Sequence, residues 1–278
     1  MSMNTTTAAT ASTPSVDALV AHLEDRLPAY LALLEEMVAI NSFTRNAAGV
    51  DRLGDVTAGA FAAFGFGAER IASRNPAHGA HLVLSRGGRS DGRVALISHL
   101  DTVFSVEEEV ANGFGFRPDG DRLYGPGTVD IKGGTVMIYM VMDALRSCAP
   151  AVFDALAWDV LLDAAEETMS PDFGALMRER LLRPGGRSLA CLVFEGCRRT
   201  GDAWHLVTRR KGMAVATIDV TGRGAHAGGA HDQGANAILQ LSRLVERASA
   251  LTDAARGLTV NGGVIEGGTV TNRVPHHA

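Results

Sequence analysis

Three short, mainly apolar runs constrain this chain most: Val94–Ile97, Ala157–Leu162 and Leu189–Phe194. Runs of strand length that carry apolar side chains on both faces must be covered from both sides, as in parallel sheets flanked by helices. Helical patterns lie between them. Lys132–Arg146 reads as a buried helix, and Phe173–Leu182 as a short helix stopped by Pro184-Gly185-Gly186. Upstream, Val16, Leu19, Leu23, Leu27, Leu31, Leu34 and Val38 recur at helical spacing, with Pro28 expected to kink or split that helix. Residues 51–64 form a second helical pattern, followed by strand patterns at Glu69–Ser73, His81–Ser85 and Arg93–His99. Strands alternating with helices predict an α/β domain with a mostly parallel sheet.

The pattern changes near Arg209–Gly212. Ala214–Val220 alternates like a half-exposed strand, Asn236–Ala248 is an amphipathic helix, and Leu258–Ile265 is a further strand. This β-α-β order is half of a split βαβ, ferredoxin-like α+β unit. The 278 residues therefore divide into a tail at 1–15, an α/β domain at 16–208 and a smaller α+β domain at 209–278, in line with about two domains for this length.

Composition excludes several classes. A net charge of −5, without clustered Lys and Arg, argues against nucleic acid as a partner. The longest apolar helix segment, Val136–Leu145, is about half a membrane span and contains Asp143. The first 15 residues lack a basic start and an apolar stretch, so they read as a disordered tail and not as a secretory signal. Cys148, Cys191 and Cys197 form no CxxC pair, as expected for reduced thiols in a cytoplasmic protein.

In open α/β sheets, functional groups gather at the carboxyl ends of the strands. His99 and Asp101 follow the first apolar run, Glu166 and Glu167 the second, and Glu195 the third; Asp130 lies in the turn Gly125-Pro126-Gly127-Thr128-Val129-Asp130. Each of these alone is ordinary loop or turn chemistry. Together they put several carboxylates at one rim, where mutual repulsion and lost hydration demand a cation. Lys132 supplies one charge, whereas a pair of divalent ions supplies four. Imidazole with carboxylates suits zinc, with cobalt or manganese as alternatives. If the strand runs on through residue 101, His99 and Asp101 share a face, and Asp101 accepts the second ring N–H of His99. Glu166 and Glu167 diverge in an extended chain, so one can bind metal while the other faces substrate.

Other motifs fail. Lys132 precedes its glycines, so there is no phosphate-binding Gly-x-x-x-x-Gly-Lys-Ser/Thr loop. There is no Gly-x-Ser-x-Gly elbow. Gly222-Arg223-Gly224-Ala225-His226-Ala227 imitates a dinucleotide turn, but its helix starts late and a His occupies the turn.

With these residues assembled, the chain resembles the di-zinc metallopeptidase family of glutamate carboxypeptidase, acetylornithine deacetylase, succinyl-diaminopimelate desuccinylase and aminoacylase. The likeness is carried by Ser98-His99-Leu100-Asp101-Thr102-Val103, Gly125–Gly134, Glu166-Glu167-Thr168 and Gly222–Gly228, with a weaker match at Gly268–Pro275. Phe116–Tyr124 is most similar to the glutamate carboxypeptidase branch. The resemblance implies a zinc-peptidase catalytic domain with an inserted lid and dimerisation domain, incomplete in this chain. It implies two zinc ions, with His99, Asp130, Glu167 and Glu195 as ligands and Asp130 bridging. It makes Glu166 the general base and Asp101 the residue that orients His99. His226 and Asn272 on the lid would contact substrate, His226 commonly across a dimer interface. A cis peptide after Asp130 is also implied.

The family's last zinc ligand is a His in a returning C-terminal segment. His276 and His277 directly follow the Asn-Arg-Val-Pro turn and do not match it, so the chain reads as a fragment of a longer enzyme or a truncated product. The implied reaction is hydrolysis of an amide next to a free carboxylate in a small molecule or short peptide. Two alternatives stay open: an N-acyl amino acid deacylase, and an inert fragment that dimerises through the lid.

Overall fold

A computed structural model describes residues 15–183 and 186–278. The tail expected at 1–15 lies outside the described residues apart from Ser15, as do Pro184 and Gly185 of the expected helix stop. The chain divides into two compact units, Met1–Trp204 and His205–Ala278.

The first unit opens with helices α1 (Val16–Val38) and α2 (Ala47–Ala62), followed by strands β1 (Gly67–Ile71), β2 (His81–Arg86) and β3 (Gly92–His99). After a short helix α3 (Val106–Asn112) and a hairpin of β4 (Arg117–Asp119) with β5 (Arg122–Tyr124) come α4 (Lys132–Cys148) and α5 (Pro150–Ala155). Then follow β6 (Ala157–Asp163), α6 (Pro171–Leu181), β7 (Arg187–Val193) and a small hairpin of β8 (Arg198–Thr200) and β9 (Ala203–His205). The sheet order is β1-β2-β6-β3-β7. β3 runs parallel to both β6 and β7, while β1 and β2 join antiparallel.

Alternation along the strands explains the layers. Leu82 and Leu84, Leu96, Val160 and Leu162 pack with Tyr30, Leu34, Phe61, Ile138 and Met142 on one face. Val83, Ala95, Ile97 and Leu161 face the other way, onto Phe173 and Leu176 of α6. Period-two side-chain alternation therefore feeds two cores, one on each face of a single sheet.

Pro28 neither splits nor ends α1, which is assigned as helix from residue 16 to residue 38. Burial of Tyr30, Leu34, Met37 and Val38 beyond the proline holds the second half in place, offsetting the one backbone bond that proline removes. Asp143 of α4 ties down both halves, accepting from the Tyr30 hydroxyl at 2.7 Å beyond the proline and lying 3.1 Å from His22 Nε2 before it. Burial works against its charge, but Tyr30, His22 and Arg26 outweigh it and hold Asp143 below the usual carboxylate range. A depressed folded pKa stabilises above the unfolded value of about 3.9, and that stability is lost as pH falls through the folded value. The stability gap between the wild type and Asp143→Asn should therefore be widest near neutrality and shrink below about pH 4. Urea titrations at both pH values check this, and a gap independent of pH would refute it.

The third apolar run departs from expectation. β7 is not buried: Leu189, Leu192 and Val193 are 44%, 47% and 60% exposed. It lies at the end of the strand order with β3 as its one partner, so its apolar composition reflects something other than burial within this unit.

In the second unit the amphipathic helix forms as α7 (Ala237–Ser249), capped by the Asn236 side chain on Leu239 N–H. Ala237, Leu241 and Ala278 form its small core with Val220, Ile238 and Val245 alongside. The strands expected at 214–220 and 258–265 do not form ladders. Pairing in this unit is confined to isolated bridges such as Thr221–His277, Arg223–Ala235 and His226–Arg273. An alternating pattern makes a strand only where a partner strand meets its backbone groups. Among the described residues, no helix is long and apolar enough to cross a membrane.

Candidate metal centre

Parallel pairing places the ends of β3 and β6 side by side, with His99 opposite Asp163. β3 stops at His99 and does not continue to residue 101, so the shared strand face expected for His99 and Asp101 is not what joins them. The chain turns instead at Leu100, whose N–H donates to Asp163 O at 2.7 Å, and the turn brings Asp101 back under the ring. His99 Nδ1 lies 3.0 Å from the Asp101 carbonyl oxygen and 3.2 Å from its Oδ1. Both are acceptors, so Nδ1 carries the proton. Nε2 then faces Asp130 Oδ1 at 2.9 Å and Glu195 Oε1 at 3.7 Å.

Asp101 is fully buried and has further partners. Its Oδ2 accepts from Thr44 Oγ1 at 2.7 Å and from Glu167 N–H at 3.3 Å, and its Oδ1 from Glu166 N–H at 3.0 Å. One carboxylate thus sets the ring of His99 and also the backbone under both glutamates. Thr44 carried no motif signal; only the bridge between Phe43 and Thr102 brings it here.

Glu166 and Glu167 are not extended, as expected from sequence, but sit in a single 3₁₀ turn, Glu166–Thr168. Their divergence comes from that turn. It is closed by Met169 N–H on Glu166 O at 3.0 Å, with Met169 held at φ 64°, a left-handed conformation that costs a non-glycine residue about 1–3 kcal/mol.

Asp130 is delivered by the Gly-Pro-Gly turn, followed by a cis Asp130–Ile131 peptide and the start of α4. Gly133 is required here because a Cβ would stand 2.1 Å from the Thr128 carbonyl oxygen.

Ligand atoms of His99, Asp130 and Glu167 lie within 4.8 Å of one another, and Glu195 adds its contact with His99. Burial opposes a charged His99, yet Asp101, Glu195 and Asp130 raise its pKa to about 9. Glu167 is shifted up by burial and then by Asp130, and Glu195 by burial, with Asp130 and Glu166 adding to it. Lys132 does not relieve this crowding: its buried ammonium donates to Ile40 O at 2.7 Å. An imidazole with several carboxylates, mutually repelling and short of a cation, is a donor set that suits zinc.

The second unit carries the other two expected residues next to each other. His226 bridges to Arg273, and Ala227 N–H donates to Asn272 O at 2.9 Å. His226 Nδ1 accepts from Gly228 N–H at 3.2 Å and Gly229 N–H at 3.0 Å, which leaves Nε2 as the donor nitrogen.

Comparison with known proteins gives the class of this α/β domain. Residues 208–278 match the peptidase dimerisation domain of the M20 peptidases. The chain is 30% identical over 254 residues to carboxypeptidase G2 of a Pseudomonas species, covering 91% of this chain and 59% of that protein. It is 31% identical over 272 residues to an acetylornithine deacetylase of Myxococcus xanthus, covering 91% of this chain and 66% of that protein. Among solved structures, a tripeptidase of Staphylococcus aureus shares the fold, with a TM-score of 0.58 at 20% identity, covering 89% of this chain and 63% of that one. The chain belongs to the M20 aminoacylase/carboxypeptidase family, and it spans about three fifths of the length of the first of these relatives.

Proposed function

We propose that this chain belongs to a cytoplasmic zinc-dependent hydrolase that cleaves an amide bond next to a free carboxylate, acting as a homodimer joined through its second unit. The observation that carries the reading is the meeting of His99, Asp130 and Glu167 within 4.8 Å from three separate segments. In this reading His99, Asp130, Glu167 and Glu195 would hold the two zinc ions. Zinc supplies Lewis acidity that polarises the scissile carbonyl and acidifies water.

The side chains do the rest. Asp101 fixes the His99 tautomer so that Nε2 keeps its lone pair for metal. Glu166 is exposed at the rim and stands outside the close triad, so it is free to take a proton from the attacking water and return it to the leaving nitrogen. His226, with Nδ1 occupied by two backbone N–H groups, donates from Nε2 to the substrate oxygen, and Asn272 beside it contacts substrate. The peptidase dimerisation match over 208–278 supports the homodimer.

An N-acyl amino acid deacylase is the second reading, favoured by the similarity to the acetylornithine deacetylase. Both predict that the protein retains two zinc ions after dialysis and that His99→Ala loses at least one, read by elemental analysis. Peptidyl-glutamate turned over faster than acetylornithine would support the carboxypeptidase, and the reverse order the deacylase. Zinc content near zero in the wild type would overturn both.

A further inference from the structure

His81 is 1% exposed at the start of β2, on the same rim as the metal-site residues, and the mechanism above leaves it without a task. Its Nε2 lies 3.2 Å from Asp172 Oδ2, in the first turn of α6. Its Nδ1 lies 3.1 Å from the backbone N–H of Ala164 and 3.1 Å from Asp163 Oδ1. Ala164 requires an acceptor and Asp163 requires a donor, and one ring nitrogen serves only one of them at a time. Asp163 and Ala164 open the loop that leads into Glu166 and Glu167.

The amides along this loop are taken in succession. Ala164 N–H goes to His81 and Ala165 N–H to Asp163 Oδ1 at 2.9 Å. Glu166 and Glu167 N–H go to Asp101, and Thr168 N–H closes on Ala165 O at 3.2 Å. His81 and Asp163 hold the entrance, and Asp101 holds the middle. Asp172 is anchored independently by Arg74 N–H at 2.7 Å, Ser73 Oγ at 3.1 Å and, on its other oxygen, Ser170 Oγ at 3.1 Å. The His81 ring therefore has a fixed point on one side and the loop on the other.

We propose that His81 is a positioning residue for Glu166 and Glu167, setting the entrance of their loop so that both amides reach Asp101. The proposal rests on the roles given to those glutamates above. The charged groups facing the ring are Asp163 at the end of β6 and Asp172 in α6; Phe173 packs beside it with ring centroids 5.3 Å apart. Burial disfavours a charge on His81, and the two carboxylates overcome this and raise its pKa.

Amide hydrogen exchange on the metal-free 278-residue chain tests this without substrate or zinc. In His81→Leu, exchange at Ala164–Thr168 should rise about tenfold or more while β3 and β6 keep their protection. His81→Asn retains an acceptor at the Nδ1 position and should restore most of it. His81→Gln, which reaches only toward the Nε2 position, should not. Unchanged loop exchange in His81→Leu, or equal behaviour of Asn and Gln, overturns the proposal. The Asn–Gln comparison decides the matter if the Leu variant does not fold.

Zinc titration gives the second arm. His81→Leu should bind zinc about 10- to 100-fold more weakly, with Asn recovering the loss. If wild type and variants all fail to bind zinc while loop exchange responds as expected, His81 keeps its role and the hydrolase reading falls.

Discussion

Glu166→Gln is expected to lower turnover by about 10²- to 10⁴-fold while zinc stays bound. The substitution keeps the size of the side chain and leaves the Glu166 N–H bond to Asp101 intact, so the turn that also carries Glu167 keeps its shape. Glu166 is not among the three residues whose ligand atoms converge within 4.8 Å. What the amide loses is the capacity to accept a proton. The check measures kcat on an amide substrate with a free carboxylate, together with zinc content. Near-normal turnover would remove Glu166 from the role of base, whereas loss of zinc would make it a ligand.

A second large effect concerns stability. Asp159→Ala is expected to cost about 3–5 kcal/mol. Asp159 is completely buried in β6, where it pairs with Arg93 of β3, accepts from Ser85 Oγ of β2 at 2.6 Å and lies 3.6 Å from Arg183. It therefore joins three neighbouring strands through one carboxylate. Alanine leaves the mostly buried Arg93 guanidinium without its counter-charge, and stranding such a charge costs more than the pair itself contributes. The urea midpoint measures the loss. A shift equivalent to less than about 1 kcal/mol, the range of exposed ion pairs, would show that Arg93 escapes to water.

Sequence reading reached the skeleton of this molecule because its signals are local. Val94–Ile97 and Ala157–Leu162 become β3 and β6, and the groups that follow them meet at one rim because the two strands pair in parallel. Glu195 comes within 3.7 Å of His99 although β7, the strand that precedes it, is an exposed edge. His81 and Thr44 were not legible as site residues. Nothing near either one in the chain suggests chemistry, and both gain their importance from segments 57 to 91 positions away.

Residue type and spacing by themselves settled the alternation of strands and helices in the first unit, the positions of the acids after the apolar runs, and an amphipathic helix expected at Asn236–Ala248 and found at Ala237–Ser249. Each depends on a pattern of a few consecutive residues, with periods of 2 or about 3.6. Tertiary structure alone decided that β7 is exposed, that the Glu166–Glu167 pair sits in a 3₁₀ turn, and that Asp101 serves the ring of His99 and both glutamate amides at once. Burial and hydrogen bonding of that kind depend on which distant segments become neighbours, and no local pattern encodes that.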